Sequence, residues 1–202
     1  MLLWSVNTIR IFGKGRIRMR QSWKKLSSEY ALNSKWLKVR KDTVELPNGH
    51  IMDDYFIIEK KDVALIAAVD SENKILLKEE YRYPIDDNLI ELPGGTLEDE
   101  ETDPLISAKR ELLEETGYVS DEWELLACNY DYPTKEANRV YIFCAKNVKK
   151  VAEQKLDISE NIKYKFVSIE EAVELCRRNE IKVNGTVSGI LLVKDKITFL
   201  GK

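Results

Sequence analysis

The chain has 202 residues, a formal net charge of −3, 44% hydrophobic residues and 33% charged residues. These proportions are typical of a globular protein and exclude extended disorder and fibrous architectures. No apolar run approaches the roughly 18 residues of a membrane-spanning helix. The mild acidity gives no general attraction for nucleic acid or anionic lipid, so we expect neither a nucleic acid nor a membrane as partner.

The chain contains three widely spaced cysteines and one histidine, His50. An odd number of cysteines without short paired spacings argues against a disulfide framework and against a zinc site. A single imidazole also leaves little basis for histidine catalysis, and the turn sequence at residues 47–49 favours an ordinary turn position for His50. A reducing, cytoplasmic location is the simple prediction.

The chain begins with a basic extension, predicted over residues 1–22. Residues 1–28 carry seven Lys and Arg and no acid. An over-extended translation start, with Met19 as the ordinary start, is the favoured interpretation; a flexible arm and a targeting peptide are the alternatives. Residues 23–59 are predicted to form N-terminal strands, with a hairpin of strands 36–46 and 51–59.

Residues 60–196 are predicted to form the main domain. Hairpins and helices follow one another along it, which predicts a layered α/β or α+β fold. The predicted elements are a second hairpin of strands 63–70 and 74–81, a helix over 105–116, strands over 123–130, 139–145 and 162–167, a helix over 169–178 and a third helix over 187–194.

The helix over 105–116 has the clearest boundaries. Asp103 is suited to the N-cap, Pro104 to the first helical position and Gly117 to the residue after the helix. Its apolar residues, Leu112 and Leu113 among them, share one side and are expected to pack against the core. The carboxylates lie roughly opposite, at positions 111, 114 and 115.

Nine acids and only two basic residues lie between Glu91 and Glu115. Carboxylates crowded into a folded domain repel one another unless cations neutralise them, and the helix dipole disfavours acids near a C-terminus. A cation is therefore expected there. The alternative is a solvated acidic face on which Arg110 pairs with Glu114 one turn further on.

A long motif combines these features. The loop Leu92-Pro93-Gly94-Gly95 leads into the sequence GTLEDEE at residues 95–101, and RELLEETGY follows at 110–118. Together they resemble the Nudix box of the Nudix hydrolases. Eight residues separate Glu101 from Arg110, where the family pattern has seven, so we expect a longer loop before the helix and leave the role of Glu101 open.

The resemblance implies a Nudix α/β/α sandwich with a mixed sheet and an N-terminal β-hairpin extension. It also implies hydrolysis of a nucleoside diphosphate linked to another group, with Mg²⁺ as cofactor and Mn²⁺ as an alternative. The metal ligands implied by the family motif are Glu111 and Glu115, with Glu114 assisting and the Gly94 carbonyl as a further oxygen. Arg110 would orient this cluster.

Other segments are similar to the ADP-ribose and ADP-sugar pyrophosphatase group. These are residues 78–84 and 91–95, Pro133 at sixteen positions after Gly117, and residues 44–49, which in relatives belong to a hairpin that helps to build a homodimer. Arg82, Glu91 and Pro133 would then contact substrate, Arg82 through its bidentate guanidinium. The alternative for Arg82 is an exposed strand position.

Two segments depart from that group, at residues 134–139 and 156–160. In the second, Ile158 stands where relatives often have an acid, which leaves Glu160 as the candidate general base and Asp157 as the second choice; a solvated loop acid is the alternative. The predicted reaction releases AMP and a sugar phosphate. The alternatives are a GDP-sugar, a dinucleotide or a damaged nucleotide as substrate, or a sensor that binds nucleotide without cleaving it.

Overall fold

The computed structural model describes residues 22–200, with side chains up to residue 196. The predicted basic extension over residues 1–22 lies outside this range apart from its last residue. None of the helices in the described range is long and apolar enough to cross a membrane.

The N-terminal part is a sheet of three antiparallel strands. β1 spans Lys24–Asn33, β2 Lys38–Glu45 and β3 Ile51–Glu59, in the order β1-β2-β3. The predicted hairpin of β2 and β3 is confirmed, with Gly49 at a φ of +82° in its turn. β1 lies in the region predicted to form strands but was not predicted as a strand of its own: its apolar residues are few, and its pairing with β2 is interrupted between Lys25 and Ser27 and between Tyr30 and Leu32.

The remaining strands and helices follow in chain order. Their bounds are β4 Val63–Ala68, β5 Lys74–Arg82, β6 Asp87–Glu91, β7 Gly94–Thr96, α1 Pro104–Thr116, β8 Tyr118–Val119, β9 Glu122–Asn129, β10 Val140–Lys146, β11 Lys149–Lys150, β12 Lys163–Ser168, α2 Ile169–Arg177 and α3 Asn184–Leu200. β4, β7, β9 and β10 form one mixed sheet in the order β7-β4-β10-β9, in which β4 and β10 are parallel. β12-β5-β6 is an antiparallel sheet, and β8 pairs with β11. The predicted mixed α+β fold with an N-terminal β extension is confirmed.

The predicted second hairpin is wrong in its pairing. β4 and β5 exist where expected, but they lie in different sheets and share only the isolated bridge between Val69 and Ile75. Both strands are largely buried, and each has a partner from a distant part of the chain, β10 for β4 and β12 for β5. A turn between two apolar strands therefore did not determine which strands pair.

The mixed sheet lies between two apolar layers. Ala64, Ile66 and Ala68 of β4 belong to a cluster with Ala108 and Leu112 of α1. The alternate positions Ala67 and Val69 belong to a second cluster that contains residues of α2 and α3. Successive strand residues point to opposite faces, so the sheet separates α1 from the other two helices. Burying each larger aliphatic side chain stabilises the fold by about 1.5–3 kcal/mol.

The boundaries predicted for α1 are confirmed. The Asp103 side chain accepts a hydrogen bond from the Leu105 N–H at 2.9 Å, Pro104 begins the helix, and Gly117 ends it in the left-handed conformation. The extra residue of the motif therefore lengthens the loop and leaves the helix in register. The predicted packing face is partly wrong, because Leu113 is 37% exposed whereas Glu115 is 3% exposed.

Candidate active site

The site is built where α1 approaches the loop at residues 92–95, whose last two residues, Gly94 and Gly95, begin β7. A Cβ on Gly95 would collide with the Glu111 carboxylate, and a Cβ on Gly94 would collide with the Ala64 carbonyl oxygen of β4. Gly94 also has a φ of +147°, in the region that favours glycine. The two glycines thus let the loop fit between the sheet and the carboxylates of the helix.

Arg110 joins the two halves of the motif. Its guanidinium binds Glu101 through two hydrogen bonds, of 2.9 Å and 3.2 Å, and donates to Glu111 at 2.9 Å and Glu114 at 3.1 Å. The Glu101 hydrogen bonds and the surrounding carboxylates raise the pKa of Arg110. The structure therefore gives Glu101 a place in the cluster despite the longer spacing, and it also contains the predicted pairing of Arg110 with Glu114.

Glu115 is held by two partners on the inner side of the helix. One carboxylate oxygen accepts a hydrogen bond from Lys78 Nζ, and the other accepts the Gly94 N–H at 2.9 Å. Burial is the main influence on this carboxyl and raises its pKa to about 7, against the attraction of Lys78. Burial also raises the pKa of Glu111. The cation that the acidic helix was predicted to need is therefore present in part as a lysine of β5.

A charged face of β5 extends the site. Lys78, Glu80 and Arg82 alternate along the strand, so they project to one side. Arg82 binds Glu91 in a bidentate manner, at 2.9 Å and 2.7 Å, and donates to Glu80 at 2.8 Å. Sequence reasoning missed Lys78 and Glu80, because residues 78–80 are all charged and nothing local shows which of them face the site.

These groups line a cleft of about 670 Å³. Nine carboxylates line it, from residues 80, 91, 98, 111, 114, 115, 131, 157 and 160, against the four cationic side chains of residues 78, 82, 110 and 155. The excess of negative charge favours binding of a cation, and carboxylate oxygens suit a hard divalent ion.

The remaining predicted residues lie at the edge of the cleft or beside it. Glu160 and Asp157 both line it, and the Asp157 N–H donates to the Glu160 carboxylate at 2.8 Å. Ile158 is fully exposed. Pro133 lines a neighbouring cavity of about 400 Å³ instead, which shares Asp131 with the cleft.

Within residues 22–200, no three His, Cys, Asp or Glu side chains are arranged as a ready-made metal site. Two of the predicted ligands instead contact cationic side chains, Glu111 with Arg110 and Glu115 with Lys78. The donor set still fits a divalent ion, since Glu111, Glu114 and Glu115 line the same cleft as Gly94 and offer carboxylate oxygens to it. The metal ligands stay a prediction.

Comparison with known proteins decides the family. The NUDIX domain model matches residues 59–184, which is more than half of the chain. The chain belongs to the Nudix family. The nucleoside diphosphate sugar hydrolase N-terminal domain model matches residues 23–58 of this Nudix hydrolase, which covers β1, β2 and most of β3.

Relatives of this Nudix protein carry several names. It is 32% identical to a methanol dehydrogenase activator of Bacillus methanolicus, over 83% of this chain and 90% of that protein. It is 30% identical to an ADP-ribose pyrophosphatase of Bacillus subtilis (strain 168), over 78% and 85% of the two chains. A solved structure titled ADP compounds hydrolase shares the fold, with a TM-score of 0.80 at 18% identity over 90% of this chain and 97% of that one. The predicted family is confirmed, as is the resemblance to the ADP-sugar group.

Proposed function

We propose that this Nudix hydrolase cleaves the pyrophosphate bond of ADP-ribose or a related ADP-sugar, giving AMP and a sugar phosphate. The observation that carries the proposal is the cleft in which the Arg110 network holds Glu101, Glu111 and Glu114 beside the Gly94-Gly95 loop. The ADP-ribose pyrophosphatases of Bacillus subtilis and Mycobacterium tuberculosis among its relatives support the choice of substrate.

The chain's own groups have separate tasks in this proposal. Glu111, Glu114 and Glu115, with the Gly94 carbonyl, would hold a divalent ion, for which we propose Mg²⁺. When bound, the ion supplies positive charge that neutralises the pyrophosphate. Arg110 orients the carboxylates through its fixed guanidinium geometry. Arg82, which pairs with Glu91, lies in the cleft as a partner for a phosphate or ribose, and Pro133 borders the neighbouring cavity.

Hydrolysis needs a base for the attacking water. We assign this role to Glu160, with Asp157 as the second candidate, because both carboxylates line the cleft. The water oxygen bonds to one phosphorus while the bond from that phosphorus to the bridging oxygen breaks. The base takes the water proton, and the bridging oxygen leaves with the other phosphate.

The N-terminal sheet has a different task in this proposal, as part of a homodimer interface. β1 is exposed along its whole length, and its exposed apolar side chains include Leu26, Tyr30 and Leu32. A sheet edge with exposed apolar side chains favours contact with another chain.

We take residues 23–59 and 60–196 as the two domains. Because its three cysteines are unpaired, we place the protein in the cytoplasm.

The test is product release from a panel of ADP-ribose, another ADP-sugar, GDP-mannose and a dinucleotide, with Mg²⁺ and with a chelator. Cleavage led by ADP-ribose or the ADP-sugar, and abolished by the chelator, is expected. A preference for GDP-mannose or the dinucleotide would overturn the assignment of an ADP-sugar as substrate. Binding of ADP-ribose without any cleavage would contradict the proposed hydrolysis and favour a sensor that binds nucleotide. Glu160→Gln, compared with Asp157→Asn, decides the base, because only loss of the true base removes the acid limb of the pH–rate profile.

A further inference from the structure

Lys78 is an unusual residue for its position in the strand. It is 1% exposed, and the three residues before it on β5, Ile75, Leu76 and Leu77, are all buried aliphatic side chains. An ammonium group is costly to bury, and it is tolerated only where anions compensate for the lost water. A fold that required only packing here would accept another aliphatic residue.

The compensating anions belong to the active site. Lys78 Nζ donates to Glu115, one of the proposed metal ligands, and lies 3.0 Å from Glu80 Oε2. Glu80 in turn accepts a hydrogen bond from Arg82. Lys78 is thus the innermost cation of the cleft, in direct contact with a carboxylate that a divalent ion would also bind.

The same two contacts fix the Glu115 carboxylate. Lys78 and the Gly94 N–H each bind one of its oxygens, so its orientation is set without an ion. A divalent ion that approaches Glu115 meets an ammonium already beside it, and two like charges a few ångströms apart in a partly buried site repel each other strongly.

We propose that Lys78 is a positioning residue that orients Glu115 and keeps binding of the divalent ion weak in the absence of substrate. This inference rests on the proposed function and goes beyond it, because it gives the cleft a resident cation of its own. The negative charge of the pyrophosphate then offsets the ammonium, so that the ion is held firmly only when substrate is present. The cleft thereby favours the joint binding of ion and substrate.

The experiment measures Mn²⁺ binding without substrate, by the electron paramagnetic resonance signal of free Mn²⁺, at about pH 8.5 so that the carboxylates are ionised. The variants are Lys78→Gln, which removes the charge, and Lys78→Arg, which keeps it. Lys165→Gln is the matched control, since Lys165 is exposed on the neighbouring strand β12 and pairs with Leu77. Lys78→Gln is expected to bind Mn²⁺ on the order of tenfold more tightly than the unmodified protein. Lys78→Arg and Lys165→Gln are expected to keep the original affinity.

A second readout covers variants that are less stable. The rise in unfolding midpoint on adding Mn²⁺ reports ion affinity through linkage, and it is expected to be larger for Lys78→Gln than for the unmodified protein. Equal or weaker Mn²⁺ binding by Lys78→Gln in both readouts overturns the role of Lys78. That result would leave the proposed function intact if the unmodified protein still cleaves ADP-ribose. Failure of the unmodified protein to bind Mn²⁺ even with ADP-ribose present overturns both the role of Lys78 and the proposed function.

Discussion

Asp42 in the N-terminal sheet and Glu115 in the cleft are both carboxylates with 3% exposure to solvent, but Glu115 lies much deeper in the protein, and their pKa values move in opposite directions. Burial acts to raise both. For Asp42 the hydrogen bonds from Ser28 and Arg40 outweigh burial, so its pKa is lowered. For Glu115 burial outweighs Lys78 and the Gly94 N–H, and its pKa rises to about 7.

The molecule neutralises the buried carboxylate of the N-terminal sheet, whereas it leaves negative charge in excess in the cleft. Asp42 has Arg40 and Ser28 as partners and stabilises a sheet. Glu115 shares its surroundings with Glu111, whose charge raises its pKa further. An excess of buried negative charge costs stability, so it is retained where a ligand completes it.

The largest effect is expected from neutralising each carboxylate in turn. Glu115→Gln should lower kcat for ADP-ribose at least on the order of a hundredfold, because it removes a charge from the ion site. Asp42→Asn should leave kcat unchanged and lower the free energy of unfolding instead. Steady-state kinetics and urea unfolding of both variants measure this contrast. Full turnover by Glu115→Gln would contradict the ligand assignment.

The two arginines that organise these regions give the next largest effect. Arg110 and Arg40 have similarly exposed side chains, and each binds carboxylates. Arg110→Met should lower kcat by about 10–100-fold through misplacement of the carboxylates. Arg40→Met should cost about 1–3 kcal/mol in the free energy of unfolding and leave kcat unaltered. Equal losses of kcat in Arg110→Met and Arg40→Met would show that both arginines act only through the stability of the fold.

The two carboxylates should also differ in how they make stability depend on pH. A carboxyl whose pKa is raised by folding contributes stability below its ordinary pKa that is lost as the pH rises through its folded value. With chelator present, the free energy of unfolding should therefore fall as the pH rises from 4.5, the ordinary pKa of Glu115, to about 7, its folded value. Glu115→Gln should show a flatter profile in that window. An identical slope in the two proteins would contradict the assignment.

Asp42 should affect the free energy of unfolding at acidic pH instead. Its folded pKa lies below its ordinary value of 3.8, so its stabilisation is present above that pH and is lost as the pH falls through the folded value. Asp42→Asn should therefore change the acid limb of the unfolding profile and leave the neutral range parallel to that of the unmodified protein.

The sequence predicted α1 well because its boundaries depend on neighbouring residues. Asp103, Pro104 and Gly117 each act on the adjacent backbone, so no distant contact was needed. The carboxylates and Arg110 were found for the same reason, since a helix places residues one turn apart on one face. The family motif supplied the rest of that prediction.

What the sequence did not reveal depends on distant partners. β4 and β5 are joined by a short turn but pair with strands from elsewhere in the chain, and β1 has no buried face. Lys78 could be recognised only once β5 lay beside α1, 37 residues away from Glu115 along the chain. A lysine after three aliphatic residues has no local feature that separates a buried cation from a solvated one.

The smallest expected effect concerns a single hydrogen bond to Asp42. Ser28 Oγ donates to Asp42 at 2.6 Å, and removal of one hydrogen bond to a charged group usually costs about 1–2 kcal/mol. Ser28→Ala should lower the free energy of unfolding by about that amount and move the acid limb to higher pH, because the pKa of Asp42 rises towards its ordinary value. Hydrolysis should be unchanged, and Ser27→Ala on the same strand serves as the matched control. A kinetic loss in Ser28→Ala would show instead that the N-terminal sheet supports the cleft, and that the two carboxylates are not separate in function.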